Sequence, residues 1–265
     1  MDKLNGMEIL KRAQEIAQSQ STVRCSDLTY EQRRCKQLDE TTERMPEING
    51  FTCKFCNDRG GKHIVKNDNE IFWEYCSHCA NIRQSFYLLQ KSGLADKTFD
   101  SFKANSEWQT GLLEKTKAYS NTENAWLFIG GQSGCGKTHL CTAAVRELIF
   151  RENVSAMLFK WIEDARLLKS VANESGYISE IDRFRTVTAL YIDDLFKGGI
   201  TAADLKLAYD LLDYRYRHQL RTIISSERYL DEIISKDEAL GGRIKEMAGD
   251  YVLHIGRDSG KNHRL

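Results

Sequence analysis

Residues 131–138 read G-x-x-x-x-G-K-T: Gly131, Gln132, Ser133, Gly134, Cys135, Gly136, Lys137 and Thr138, with His139 next. Residue types at this spacing suit the binding of a nucleoside triphosphate. The glycines let backbone N–H groups turn inward onto phosphate oxygens, Lys137 neutralises charge on the outer phosphates, and the Thr138 hydroxyl ligates a metal. An apolar strand-like run at 126–129 precedes the motif and a helical pattern at 138–151 follows it. That is the setting the motif requires, and the helix start adds its positive end to the site. The expected ligands are ATP and Mg²⁺, held by residues 131–139.

A second apolar run, 190–192, ends in Asp193 and Asp194. Adjacent acids at a strand end are costly unless a cation offsets them. Asp193 is expected to hold Mg²⁺ through water, beside the Thr138 ligand, and Asp194 to orient or deprotonate the attacking water. Aspartate is shorter than glutamate, so the expected reaction is a slow basal hydrolysis of ATP to ADP and phosphate. The run 222–224 ends in Ser225, Ser226 and Glu227, which makes these candidate sensors of the γ-phosphate, with Ser226 placed in the catalytic set. Arg243, after Gly241 and Gly242, is a candidate arginine finger reaching a neighbouring copy.

Cys53, Cys56, Cys76 and Cys79 form C-x₂-C-x₁₉-C-x₂-C. Two such knuckles, with room for a hairpin between them, match a structural Zn²⁺ site, closed to catalysis because four thiolates fill it. His63 reads as a hairpin residue, and His78 is superfluous to a complete ligand set. Cys25, Cys35, Cys135 and Cys141 receive no role.

These residues need elements to position them. The chain has 265 residues, 41% hydrophobic and 29% charged, with a formal net charge of zero. That suits one or two globular domains and excludes a general polycation, so any nucleic-acid contact must be a local patch. No apolar run approaches the ~20 residues that span a bilayer, and the N-terminal stretch lacks a secretory pattern. A reducing, cytoplasmic location is expected, which favours thiolate–metal chemistry over disulfides. Residues 3–20 are patterned as an amphipathic helix. Residues 26–44 form a polar one, begun near Ser26, Asp27 or Thr29 and limited by Pro46. A further helical pattern covers 82–94. Beyond residue 95, strand-like runs (126–129, 156–159, 190–192, 222–224, 251–255) alternate with helical ones (138–151, 162–172, 202–218, 229–247). The expected fold class is α/β: a P-loop domain at 95–265 with a parallel sheet sandwiched by helices. A helical region at 1–49 and a zinc ribbon with linker helix at 50–94 precede it.

Taken together, residues 50–264 resemble the DnaC/DnaI family of AAA+ replicative helicase loaders, including their bacteriophage equivalents, and the related IstB transposition ATPases. The resemblance rests on the cysteine ribbon, KTFDSF at 97–102, the phosphate loop, YIDDL, DLLDYRYRHQLRTIISSE and GGRIKEMAGDYVLHIGRDSGKNHR. Where the family ends in G-x-N-R-R, this chain reads Gly260, Lys261, Asn262, His263, Arg264. Glu227 stands where asparagine is common. The resemblance implies an AAA+ (ASCE) ATPase that grips a hexameric replicative helicase of DnaB/DnaC type through residues 1–94. It further implies delivery of that helicase to single-stranded DNA, with assembly into an ATP-dependent homo-oligomeric spiral and no membrane partner. Candidate DNA contacts are Lys160, Arg166, Lys169, Arg183 and Arg185 with Phe159 and Trp161, and a second cluster at Tyr214, Arg215, Tyr216 and Arg217.

Overall fold

A computed structural model describes residues 28–45, 48, 51–66, 69–172, 174–258 and 261. The helix expected over 3–20, Ser26, Asp27, Cys25, Pro46 and the closing residues 260 and 262–264 lie outside these. Two compact units divide the chain between His78 and Cys79.

In the first unit, helix α1 spans Tyr30–Thr41. Thr29 starts it: its hydroxyl accepts from the Gln32 N–H while the Gln32 side chain accepts from the Thr29 N–H. Such a reciprocal cap is worth about 1 kcal/mol. Strands β1 (Gly61–Lys66) and β2 (Glu70–Tyr75) form the antiparallel hairpin between the cysteine knuckles, with Gly61 opposite Tyr75. His63 has a structural task. Its backbone N–H donates to Oδ1 of Asp39 at 2.7 Å, and its Nδ1 lies 2.7 Å from the same oxygen, which fastens α1 to β1.

The second unit carries a five-stranded sheet in the order β4-β5-β6-β3-β7, parallel throughout. Its strands are β3 (Leu127–Gly131), β4 (Ala156–Lys160), β5 (Ala189–Asp193), β6 (Arg221–Ser226) and β7 (Val252–Ile255). The helices are α2 (Ala80–Lys91), α3 (Glu107–Ser120), α4 (Lys137–Glu152), α5 (Trp161–Ser170), α6 (Tyr177–Thr186), α7 (Ala202–Arg217), α8 (Leu230–Lys236) and α9 (Glu238–Ala248). The strands are nearly continuous apolar runs because both faces are covered. Phe128, Leu190, Ile192 and Ile224 point to one face and pack with Leu207, Ala208, Leu211, Ile233 and Ile244 from α7, α8 and α9. Alternation turns Leu127, Ile129, Tyr191 and Ile223 to the opposite face, where α4 crosses β3, β5 and β6. Each fully buried leucine or isoleucine contributes about 1.5–3 kcal/mol.

The structure differs from expectation in three places. Helix α2 belongs to the second unit, not with the ribbon: its Ser85 hydroxyl accepts from the Ala156 N–H at 2.8 Å, joining it to β4. The helix expected over 229–247 breaks at Asp237, whose extended backbone lets its carboxylate cap α9 through the Leu240 N–H. Helices α3 and α6 were not foreseen.

Within the core, Arg215 is wholly buried. Its guanidinium donates to the carbonyls of Phe184, Arg185, Val187, Thr188 and Arg221 and to the Thr222 hydroxyl. It thereby gathers the end of α6 and the start of β5 and β6. Burial pushes its pKa down from the usual arginine value, and the full set of acceptors keeps the buried cation tolerable.

Candidate functional site

The phosphate loop leaves the C-terminal end of β3 and enters α4. Gly131 (φ 141°) and Gly136 (φ 91°) both lie in backbone space that favours glycine. A Cβ at Gly131 would collide with the Ile255 carbonyl, and one at Gly136 would stand 2.7 Å from the Phe102 ring. Ser133 and Gly134 form the turn at the crest of the loop. Lys137 opens α4 and is buried; its Nζ donates to the carbonyls of Gly131 at 2.8 Å and Gln132 at 2.6 Å. The Cys135 thiol donates to the Gln132 carbonyl at 2.9 Å.

Two of the expected ligand residues have side chains engaged elsewhere. The Gln132 amide donates through Nε2 to the Asp258 carbonyl and accepts through Oε1 from the Asp258 N–H, both at 2.7 Å. The His139 ring places Nε2 2.8 Å from the Thr98 carbonyl and 3.2 Å from the Ser101 hydroxyl, and lies edge-on to Phe102. Segment 97–102 is therefore strapped to the first turn of α4. Burial lowers the His139 pKa and favours the neutral ring.

Both acids stand at the C-terminal end of β5, separated from β3 by β6, at the carboxyl end of the sheet where ligands bind in open α/β folds. Oδ1 of Asp193 accepts from the Thr138 hydroxyl at 3.1 Å, from the Ser225 hydroxyl at 2.7 Å and from the Tyr191 hydroxyl at 2.5 Å. Tyr191 is wholly buried, and burial drives its pKa well up, so it remains a donor. Sequence reasoning missed Tyr191, although its alternation within the run ALYID was the available signal. Asp194 has φ 57°, and its N–H donates to the Ser225 hydroxyl at 3.0 Å. Its carboxylate accepts from Lys197, a partner also missed, at 2.6 Å.

Three expectations are corrected by the geometry. Ser226 does not face the acids: its buried hydroxyl donates to the Leu195 carbonyl and accepts from the Arg228 N–H, because strand alternation turns it away while Ser225 takes the position beside Asp193. Arg243 is held within its own unit, 3.1 Å from Asp213, donating to the Tyr209 hydroxyl and the Ala239 carbonyl and lying over the rings of Tyr209 and Tyr216. It is not presented outward as a finger. The two basic–aromatic clusters also dissolve. Phe159, Trp161 and Arg215 are core residues, and Tyr214 stacks on His218. Lys160, Lys169, Arg183, Arg185 and Arg217 pair with acids of the same unit. Arg166, unlike those five, has no ion-pair partner among the described residues.

The residues present fit the ligands expected. Two ligand oxygens adjacent on an octahedral Mg²⁺ ion lie about 2.9 Å apart, given metal–oxygen distances of about 2.0–2.1 Å. The Thr138 and Asp193 oxygens are 3.1 Å apart. A bound Mg²⁺ would neutralise charge developing on a phosphate there. The sulfurs of Cys53, Cys56, Cys76 and Cys79 lie within 4.8 Å of one another. A tetrahedral zinc with bonds of about 2.3 Å sets sulfurs about 3.8 Å apart, and Cys53 and Cys76 are separated by 3.7 Å. Burial opposes ionisation of Cys53, but hydrogen bonds from the Cys56 and Phe55 backbone and from the Cys56 and Cys76 thiols outweigh it, lowering its pKa toward the thiolate a metal needs.

Comparison with known proteins agrees with this geometry. A family model described as IstB-like ATP binding protein matches residues 83–244, more than half of the chain. The phage-like element PBSX protein XkdC of Bacillus subtilis is 33% identical over 235 residues, 81% of this chain and 86% of that protein. The uncharacterized protein YqaM of the same organism is 43% identical over 141 residues, 51% of this chain; the chain spans 44% of its length. Among solved structures, the DnaC helicase loader superposes with a TM-score of 0.54 at 20% identity, over 62% of this chain and 97% of that one. AMPPCP-bound DnaA from Aquifex aeolicus gives 0.52 at 17% identity, over 63% and 52% respectively. These likenesses establish the P-loop AAA+ fold. The phosphate loop, the paired acids and the family match over residues 83–244 lead to one assignment: the chain belongs to the IstB-like ATP binding protein family.

Proposed function

We propose that this protein is an ATP-dependent loader that binds a hexameric replicative helicase and delivers it to single-stranded DNA in DNA replication. The observation that carries this reading is the four-cysteine hairpin ahead of an ATPase unit whose fold is that of the DnaC helicase loader. A metal-braced hairpin is a rigid platform on which a partner can dock. Its exposed rings, Phe55, Phe72 and Tyr75, supply apolar surface for such a contact. The unit ending at His78 is the docking region and the unit from Cys79 onward the motor.

In the ATPase site, Lys137 and the loop hold the phosphates, and Thr138 and Asp193 hold Mg²⁺. Asp194 positions the attacking water and takes its proton. Ser225, rather than Ser226, carries the sensing role. Hydrolysis is slow without partners, because the carboxylate of Asp194 is short and already paired with Lys197. The likeness to a structure of DnaA bound to AMPPCP and single-stranded DNA, with a TM-score of 0.51, supports a nucleic-acid partner for this fold.

A second reading, an ATPase serving a transposase, is favoured by the IstB-like description of the family itself. Co-purification with the host's hexameric replicative helicase separates the two. The loader retains the helicase with ATP and places it on a single-stranded gap, measured as strand displacement; Lys137→Ala retains neither nucleotide nor loading activity. Absence of helicase binding by the intact, zinc-loaded protein overturns the loader reading, as it does a helicase-binding switch that never loads.

A further inference from the structure

Lys197 lies in the turn that follows β5. Its Nζ donates to Oδ2 of Asp194 at 2.6 Å and stands 3.4 Å from Oε1 of Glu227, bridging acids at the ends of β5 and β6. The turn is built to hold it there. Asp194 and Phe196 both have left-handed backbone, and Phe196 is anchored in the core against Trp161. The Leu195 N–H donates to the Ser225 carbonyl, and the Lys197 N–H donates back to the Asp194 carbonyl. A bulky residue at positive φ is strained and persists only where its surroundings enforce it. Here the burial of Phe196 enforces it and aims Lys197 at Asp194.

A carboxylate held in a charge-assisted bond has one of its oxygens occupied by the donor. Lys197 is stabilised in turn: its pKa is raised, chiefly by the bond to Asp194. The same lysine lines a cavity of about 250 Å³ shared with Arg166, Lys169, Gly198, Gly199 and Asp204. Lys169 is tied to Asp204 at 2.7 Å, while Arg166 is exposed and has no ion-pair partner among the described residues. The lining therefore holds an excess of positive charge, one of whose members restrains the residue assigned to activate water.

We propose that Lys197 is a removable restraint on Asp194, released when a phosphodiester group of single-stranded DNA enters this cavity and draws the lysine away. Release frees Asp194 to accept the proton of the attacking water, so DNA binding and hydrolysis are coupled through one side chain. The inference rests on the reading of Asp194 and of single-stranded DNA given above.

The test is steady-state ATP hydrolysis by the full-length protein with and without oligothymidylate. Lys197→Met raises the rate without DNA about fivefold or more and abolishes stimulation by the oligonucleotide, as expected when a charge-assisted bond to the base is removed. Lys197→Arg, which can rebuild the ion pair, restores the low rate, and Lys197→Gln behaves as the methionine variant does. Arg166→Ala raises the oligothymidylate concentration needed for half-maximal stimulation. Inorganic phosphate at matched charge concentration gives no stimulation; equal stimulation by phosphate overturns the assignment to a nucleic-acid strand. A Lys197→Met rate at or below that of the parent, with nucleotide binding intact, overturns the restraint. Asp194→Asn separates the two levels of argument: if it is inactive, such a failure belongs to the restraint alone, and if it turns over normally, the reading of Asp194 has failed.

Discussion

The hydroxyl of Tyr191 donates to Oδ1 of Asp193 across 2.5 Å, from a side chain with no access to solvent. The two residues are alternate members of one strand, yet the tyrosine ring passes through the α4 side of the sheet and its tip returns to the acid. A buried hydroxyl in this position would hold the carboxylate in place for a metal.

Tyr191→Phe removes that donor and leaves Ser225 and Thr138 in place. The Mg²⁺ concentration giving half-maximal ATP hydrolysis is expected to rise about 10- to 100-fold, corresponding to one lost hydrogen bond to a charged group that holds the metal. Nucleotide binding measured in EDTA stays close to that of the parent. An unchanged Mg²⁺ dependence would show that Asp193 is oriented without the tyrosine.

Arg243 serves its own unit. Its replacement by alanine loses the pair with Asp213 and the stacking over Tyr209 and Tyr216. A stability loss of about 1–2 kcal/mol is expected, read by urea denaturation at concentrations where the protein is monomeric. A residue acting only as a finger would leave monomer stability untouched and lower hydrolysis only on self-association.

Replacing Cys53 and Cys56 with serine removes two of four thiolates. Metal content falls from about one zinc per chain to none, because a half-set of ligands cannot close the site. The first unit then melts ahead of the second, so a single thermal transition becomes two. Retention of zinc by the double variant would exclude the four-sulfur arrangement.

The strap over the phosphate loop is expected to loosen at low pH. Burial depresses the pKa of His139 in the folded chain, with Lys97 nearby acting in the same direction and Asp96 and the Thr98 carbonyl opposing it. The unfolded histidine takes up its proton first. The contribution of His139 is therefore complete above pH 6.5, the ordinary value, and is lost as pH falls from there through the depressed folded value. The protection of the 98–102 amides, taken relative to their intrinsic exchange rate at each pH, is expected to fall on acidification through this window, and His139→Gln should flatten that response.

The phosphate loop was legible because its chemistry is local: eight consecutive residues carry spacing, glycines, lysine and hydroxyl together. The sheet was legible for a similar reason, since parallel strands buried on both faces appear as continuous apolar runs. What escaped was only partly distant in sequence. Lys197 and Tyr191 lie within three residues of the acids they hold, but their further contacts to Glu227 and Ser225 form only when β5 and β6 lie side by side, and the difference between Ser225 and Ser226 is one step of strand alternation. Arg215 looked like part of a basic surface because nothing in RYRH reveals that the carbonyls closing α6 converge on it. Phe159 and Trp161 looked available to bases because an aromatic beside a cation reads alike in a core and on a surface. Asp237 broke a helix that periodicity alone would have carried through.

The side chain of Gln132 meets both backbone groups of Asp258, as a neighbouring strand would. β3 and β7 pair as far as Gly131 and Ile255, so this amide extends their alliance beyond the last rung of the sheet. The loop that would cradle phosphate is thus stitched through Gln132 to Asp258, the third residue beyond β7, so the two cannot shift independently while this pair of bonds holds.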